Sequence, residues 1–157
     1  MNQKTAMKLF GLLGLLMLLS CGYADRHRNS SSCEQALVDS LEVRVQDSLF
    51  SNVHYSRSQL LEALTQTQDS LVYYRLLALY GKTFFVSSDF DSILYYNRRV
   101  KEFSRNASQS SESLQSPRWN DVLSDVYNIE GNVWMQLNRP DSAIIDYKKA
   151  YGYRLRS

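Results

Sequence analysis

A fifty-residue self-similarity constrains this chain of 157 residues more than any other feature. Moved fifty positions along itself, the sequence lays Gly81 on Gly131, Phe84 on Trp134, Asp91-Ser92-Ile93 on Asp141-Ser142-Ala143 and Val100 on Ala150. Around these matches apolar residues recur at helical spacing instead of alternating, which is the pattern of helices with a buried stripe. A helix pair repeated along a chain cannot bury its apolar face alone and must stack on its neighbours. The expected class is therefore all-α, with helices near residues 33–50, 57–67, 70–87, 90–104, 118–137 and 140–154. Turn signals fall between them at Ser51-Asn52, Gln68-Asp69, Ser87-Ser88-Asp89, the polar run Asn106 to Pro117, and Asn138-Arg139-Pro140. Between residues 34 and 151 the only glycines are Gly81 and Gly131 and the only prolines Pro117 and Pro140, so little breaks these helices.

The second copy carries Gly131 in its first helix, Trp134 three residues on, then Ala143, Tyr147 and Ala150 in its second helix. This spacing resembles the tetratricopeptide repeat. Fifty residues exceed that family's period of 34, and removing a 16-residue insertion around Ser104 to Trp119 restores it. The resemblance implies that Gly131, Ala143 and Ala150 sit where two helices cross closely, with Trp134 and Tyr147 filling the gaps. The copy departs from the family at Glu130, where leucine is usual, and at Tyr127, where tryptophan is common. The first copy keeps Tyr80-Gly81 and Phe84, but places Ile93, Asn97 and Val100 where the family prefers alanine, an aromatic residue and alanine. Clear repeats span about 74–107 and 124–157, and residues 33–67 supply a degenerate leading pair. The implied architecture is a short right-handed solenoid of about three pairs over residues 33–157. The family has no chemistry of its own and docks a peptide or helix on the face of each pair's first helix. On that resemblance the partner-binding residues are Tyr73, Tyr74, Leu77, Lys82, Asn128, Asn132 and Met135.

Lys4 and Lys8 precede an uncharged run from Leu9 to Leu19. At ~1.5 Å per helical residue this run covers roughly 17 Å, short of a ~30 Å hydrocarbon core, so residues 1–20 read as an export signal and not as a membrane span. Leu18-Leu19-Ser20-Cys21 resembles the lipobox of bacterial lipoproteins, although Leu19 is bulkier than usual. The resemblance implies lipidation of Cys21, and two or three acyl chains hold a protein durably on a membrane. Residues 21–32, with Arg26, His27, Arg28 and a serine run, then form a flexible tether. The implied location is the bacterial cell envelope, facing the periplasm.

Removing Lys4 and Lys8 from 18 basic residues leaves 16 against 16 acidic ones. A neutral body without a basic stretch offers no footprint for nucleic acid. His27 and His54 are the only histidines, and with Cys21 lipidated Cys33 is the only free thiol, so no metal site or internal disulfide is expected. No phosphate loop or nucleophile elbow is present, and neither an enzyme nor a cofactor is implied. The triplet Asp-Ser-apolar occurs five times, and three of the five occurrences lie at helix starts, where a carboxylate or hydroxyl accepts from free backbone amides. It is also similar to a serine glycosylation acceptor of exported bacterial proteins, which would place glycans on Ser40, Ser48, Ser70, Ser92 or Ser142.

The function expected is a non-catalytic, membrane-anchored protein-interaction module. A second reading is the truncated input segment of a signalling or transcription-regulatory protein, which such lipobox-plus-repeat starts also resemble. No additional polar helix follows the second copy in this sequence to shield Trp134, Ile144 and Tyr151, so a partner, self-association or a longer parent chain is expected to supply the cap.

Overall fold

The computed structural model describes residues 36, 38–45, 47, 51–107 and 116–157. The signal segment, Cys21, the tether, Cys33 and Ser48 lie outside them. Residues 38–157 belong to one unit, built among the described residues from six helices in contacting pairs and no strand. The helices are α1 (residues 38–45), α2 (Val53–Gln66), α3 (Ser70–Lys82), α4 (Phe90–Ala107), α5 (Pro117–Gln136) and α6 (Pro140–Arg154). None of the described helices is long and apolar enough to cross a membrane.

Local chemistry sets the helix starts. The Asn52 side chain accepts from the Tyr55 amide at the head of α2. Asp69 accepts from the amides of Leu71 and Val72 at 2.7 and 3.2 Å. Asp89 accepts from both the amide and the hydroxyl of Ser92, and those bonds hold its carboxyl below the usual carboxylate range. Ser116 accepts from the Trp119 amide, with Pro117 following in the first helical turn. Each cap satisfies amides that have no partner within the helix. Of the Asp-Ser triplets, Asp69 acts as a cap, whereas Asp91 and Asp141 lie in the first turns of α4 and α6. Ser40 and Ser70 are exposed, and Ser92 and Ser142 half-buried.

The helix expected to run from 70 to 87 tightens at Thr83 into a 3-10 turn, Thr83–Ser87. Arg57 of α2 reaches across to this turn. Its guanidinium donates to the Thr83 carbonyl and hydroxyl and to the Ser87 hydroxyl, and lies 4.1 Å over the Phe84 ring.

Two hydrophobic groups settle the α1–α2–α3 end and the middle. Val38, Leu41 and Val45 of α1 meet Leu60 and Ala63 of α2 and Val72, Leu76 and Leu79 of α3. Leu77 of α3, Val100 of α4 and Trp119, Leu123 and Val126 of α5 form the second group. Burying side chains of this size stabilises by about 1.5–3 kcal/mol each. Trp119 is enclosed, yet its indole donates to the Ser104 hydroxyl and its ring meets Phe103 edge-on. α3 is buried nearly all round and is the central helix of the unit.

The close crossings within pairs occur at glycine. A Cβ on Gly81 would lie 2.9 Å from the Cβ of Tyr96 on α4, and one on Gly131 would clash with the ring carbons of Tyr147 on α6. Ala143 and Ala150 are buried on the α6 face toward α5. The turns closing the two pairs share their hydrogen bonds. Ser88 and Asn138 both take left-handed backbone, at φ 55° and 56°. The Asp89 amide donates to the Phe84 carbonyl as the Arg139 amide does to that of Trp134, and the Ser88 amide to Phe85 as the Asn138 amide to Met135.

Candidate docking groove

Three first helices of the pairs line one open groove of about 580 Å³. Helical geometry brings its residues together. On α5, Arg118, Asp121, Val122 and Asp125 follow i, i+3, i+4, i+7 spacing and share a face. On α1, Asp39, Glu42 and Val43 do the same, and α3 contributes Arg75. Arg154 reaches in from the last turn of α6.

Four carboxylates and three guanidiniums therefore line the groove, and they pair with one another. Arg75 is buried and donates to Asp39 at 3.1 Å and Glu42 at 3.4 Å. Arg118 meets the other Asp39 oxygen at 3.1 Å. Arg154 bridges Asp121 and Asp125, the latter at 3.0 Å. The outer pairs are half-exposed, and such pairs stabilise by only about 0–1 kcal/mol, so exchanging one for a ligand's charge costs little. The floor continues into a recess of about 30 Å³ lined by Ala78, Leu79 and Lys82 of α3, Asn97 of α4, and Val126 and Ile129 of α5. Such a surface suits a polar, extended segment bearing both signs of charge. Among the described residues no group of three or more His, Cys, Asp or Glu side chains could hold a metal ion.

A second polar cluster joins α4, α5 and α6. Lys101 donates to both oxygens of the buried Glu130 at 2.7 and 2.6 Å. The Trp134 indole donates to Asp146 at 2.8 Å, and Lys149 pairs with the other Asp146 oxygen. The Tyr127 ring stacks on Tyr153 and faces the ammonium groups of Lys101 and Lys149 at 5.2 and 5.0 Å. Burial raises the Glu130 carboxyl above its ordinary value, against the pull of Lys101. Burial also pushes the Tyr127 hydroxyl up to about 12, with Tyr153, Glu130 and Asp146 adding to it. The carboxyl and ammonium groups of this cluster are engaged with one another, which makes it a joint between helices.

Of the residues expected to bind a partner, Lys82 lines the groove recess. Leu77 is a correction: it is 2 % exposed and packs with Val100 and Trp119. Tyr73 and Tyr74 belong to the same packing group, Tyr74 stacked on Phe103 at 4.1 Å. The reason is rotational. Each residue turns a helix by about 100°, so Arg75, Ala78 and Lys82 face the groove while Tyr73, Tyr74 and Leu77 face elsewhere. Asn128 and Met135 are exposed on α5, and Asn132 accepts from the Tyr147 hydroxyl at 2.8 Å. Phe84 stacks on Tyr96 beneath Arg57, and Trp134 lies under Arg139 at 5.3 Å.

The groove's charged residues escaped the sequence reading. A signal existed in Arg75, the single charge inside the run Leu71 to Leu79, and in the Asp121, Asp125 pair at i, i+4 beside Arg118. Comparison with protein-family models, with curated protein sequences and with solved structures returns no match.

Proposed function

We propose that this chain is a non-catalytic, lipid-anchored docking module of tetratricopeptide-like helix pairs, which holds a peptide or helix of a partner protein in the α1–α3–α5 groove. One observation carries the reading: the open groove is lined by the first helix of every pair, the face on which stacked helix pairs dock ligands. The fifty-residue coincidence of turn hydrogen bonds and of glycine crossings supports repeated units. The Lys4 to Cys21 pattern supports export and acylation at Cys21, with the tether giving the module reach from the membrane.

Two measurements test it. Lipid labelling of the full chain in its cell is expected to vanish on Cys21→Ala, and unchanged labelling would end the anchoring claim. Affinity capture from the same membranes is expected to recover a protein that Arg118→Glu and Asp125→Lys each lose, while a charge reversal at the exposed Glu102 on α4 retains it. Capture indifferent to both groove variants would contradict the docking claim.

A further inference from the structure

The groove has an axis, and its chemistry changes along it. On α3 the lining runs from Arg75 in the open part to Ala78, Leu79 and Lys82 in the recess. On α5 it runs from Arg118 and Asp121 in the open part to Val126 and Ile129 in the recess. Rising residue numbers lead from the open part to the recess on both helices, so the two run in the same direction. α1 agrees, since Asp39 lines only the open part and Glu42 lines both.

Three zones follow one another along this axis. At the open end both oxygens of Asp39 are taken, one by Arg75 and one by Arg118. A guanidinium, with five N–H donors, holds two carboxylates at once, as Arg75 does with Asp39 and Glu42. Arg118 can therefore take a ligand's carboxylate beside Asp39. Seven residues further along α5, about 10 Å at ~1.5 Å each, the balance reverses. Asp121 and Asp125 share the single guanidinium of Arg154, so this zone carries an excess negative charge that draws a cation. Beyond it lies the recess, walled by Ala78, Leu79, Val126 and Ile129. A charge pressed against such walls loses its water without return, whereas an aliphatic group gains by leaving water. The recess of about 30 Å³ is above the ~10–15 Å³ that one water needs and far below the ~150 Å³ that admits a benzene ring.

We propose, resting on the docking reading above, that the occupant carries a carboxylate, a cation and a small aliphatic side chain in that order, seated on Arg118, on Asp121 with Asp125, and in the recess. A helix about 10 Å across occupies roughly 800 Å³ over a 10 Å span, more than the groove's about 580 Å³, so the segment is extended. At ~3.3 Å per residue the cation lies about three residues from the carboxylate, and the aliphatic residue about two beyond the cation.

The test titrates the full chain, in a non-ionic detergent, into fluorescent serine peptides blocked at both ends. The parent peptide carries glutamate, lysine three residues on and valine two beyond, and is made in both chain directions. Fluorescence anisotropy is expected to show the better direction binding about tenfold tighter than its counterpart with glutamate and lysine exchanged. It should also bind about tenfold tighter than peptides with serine or phenylalanine in place of valine. The double variant Arg118→Glu, Asp125→Lys is expected to invert the charge preference. Ala78→Leu, which fills the recess, should abolish the valine preference and keep the charge preference. Where circular dichroism shows that a variant has lost helix, the peptide series on the wild-type chain decides alone. Equal binding of the charge-exchanged peptides, or of serine or phenylalanine in the valine position, would overturn the proposal. A peptide panel that fails to bind, while Arg118→Glu still loses a protein captured from membranes, overturns this order and leaves the docking reading standing; failure of both ends both.

Discussion

Glycine and the residue pressed against it give the sharpest tests at the scale of single side chains. Gly81→Ala and Gly131→Ala are each expected to destabilise the fold by about 1–3 kcal/mol, the cost of overpacking a close crossing. The two differ in what relieves the cost. At Gly131 the obstacle is the Tyr147 ring, so Tyr147→Ala should partly rescue Gly131→Ala in a double-mutant cycle. At Gly81 the obstacle is the Cβ of Tyr96, which alanine retains, so Tyr96→Ala should rescue nothing. Chemical denaturation of the four single and two double variants decides the matter. Equal rescue at both sites would contradict the crossings described.

Glu130 supplies a second residue-scale expectation. Its carboxyl titrates above the ordinary value of 4.5 because of burial, so the folded state holds the proton more tightly than the unfolded chain. Stability attached to this group is present below the unfolded value and declines as pH rises toward the folded one. Denaturation profiles should therefore show wild type losing stability relative to Glu130→Gln as pH rises above 4.5, then running parallel. Lys101→Met leaves a buried carboxylate without its cation and is expected to cost about 1–3 kcal/mol at neutral pH. The double variant Lys101→Met, Glu130→Gln should recover most of that loss.

At the scale of elements, the helix ends govern the two paired turns. Ser88 and Asn138 occupy left-handed backbone that glycine adopts without penalty. Ser88→Gly is expected to raise stability by up to about 1 kcal/mol, and Asn138→Gly by less, since asparagine tolerates that conformation better than serine. Removing the cap with Asp69→Ala should cost about 1 kcal/mol. Thermal melts resolve all three. These ends were largely legible in the sequence because caps, prolines and polar turns act locally: helices expected at 90–104, 118–137 and 140–154 fall at Phe90–Ala107, Pro117–Gln136 and Pro140–Arg154. The 3-10 turn at Thr83 was not legible, and Arg57, which hydrogen-bonds to it, lies 26 residues away. Glu130 was visible as a departure from the repeat pattern, but its partner Lys101 lies 29 residues earlier. Which face of α3 meets the groove was equally hidden, because a helix apolar on almost every side gives no periodic cue.

Over the whole molecule, one physical idea connects the fold to the proposed function: helix pairs packed side by side turn part of each first helix toward a common groove. The ion pairs of Arg75, Arg118 and Arg154 give the groove a charge pattern into which the proposed partner would exchange. The most direct test is a photo-cross-linking scan of the full chain in its own membranes, placing a reactive side chain at successive positions of α4 and α5. The expected result is capture of one protein from 118, 121, 122 and 125, in step with the helical turn, and none from the exposed positions of α4. Capture without that periodicity, or from α4 as readily as from α5, would contradict the account.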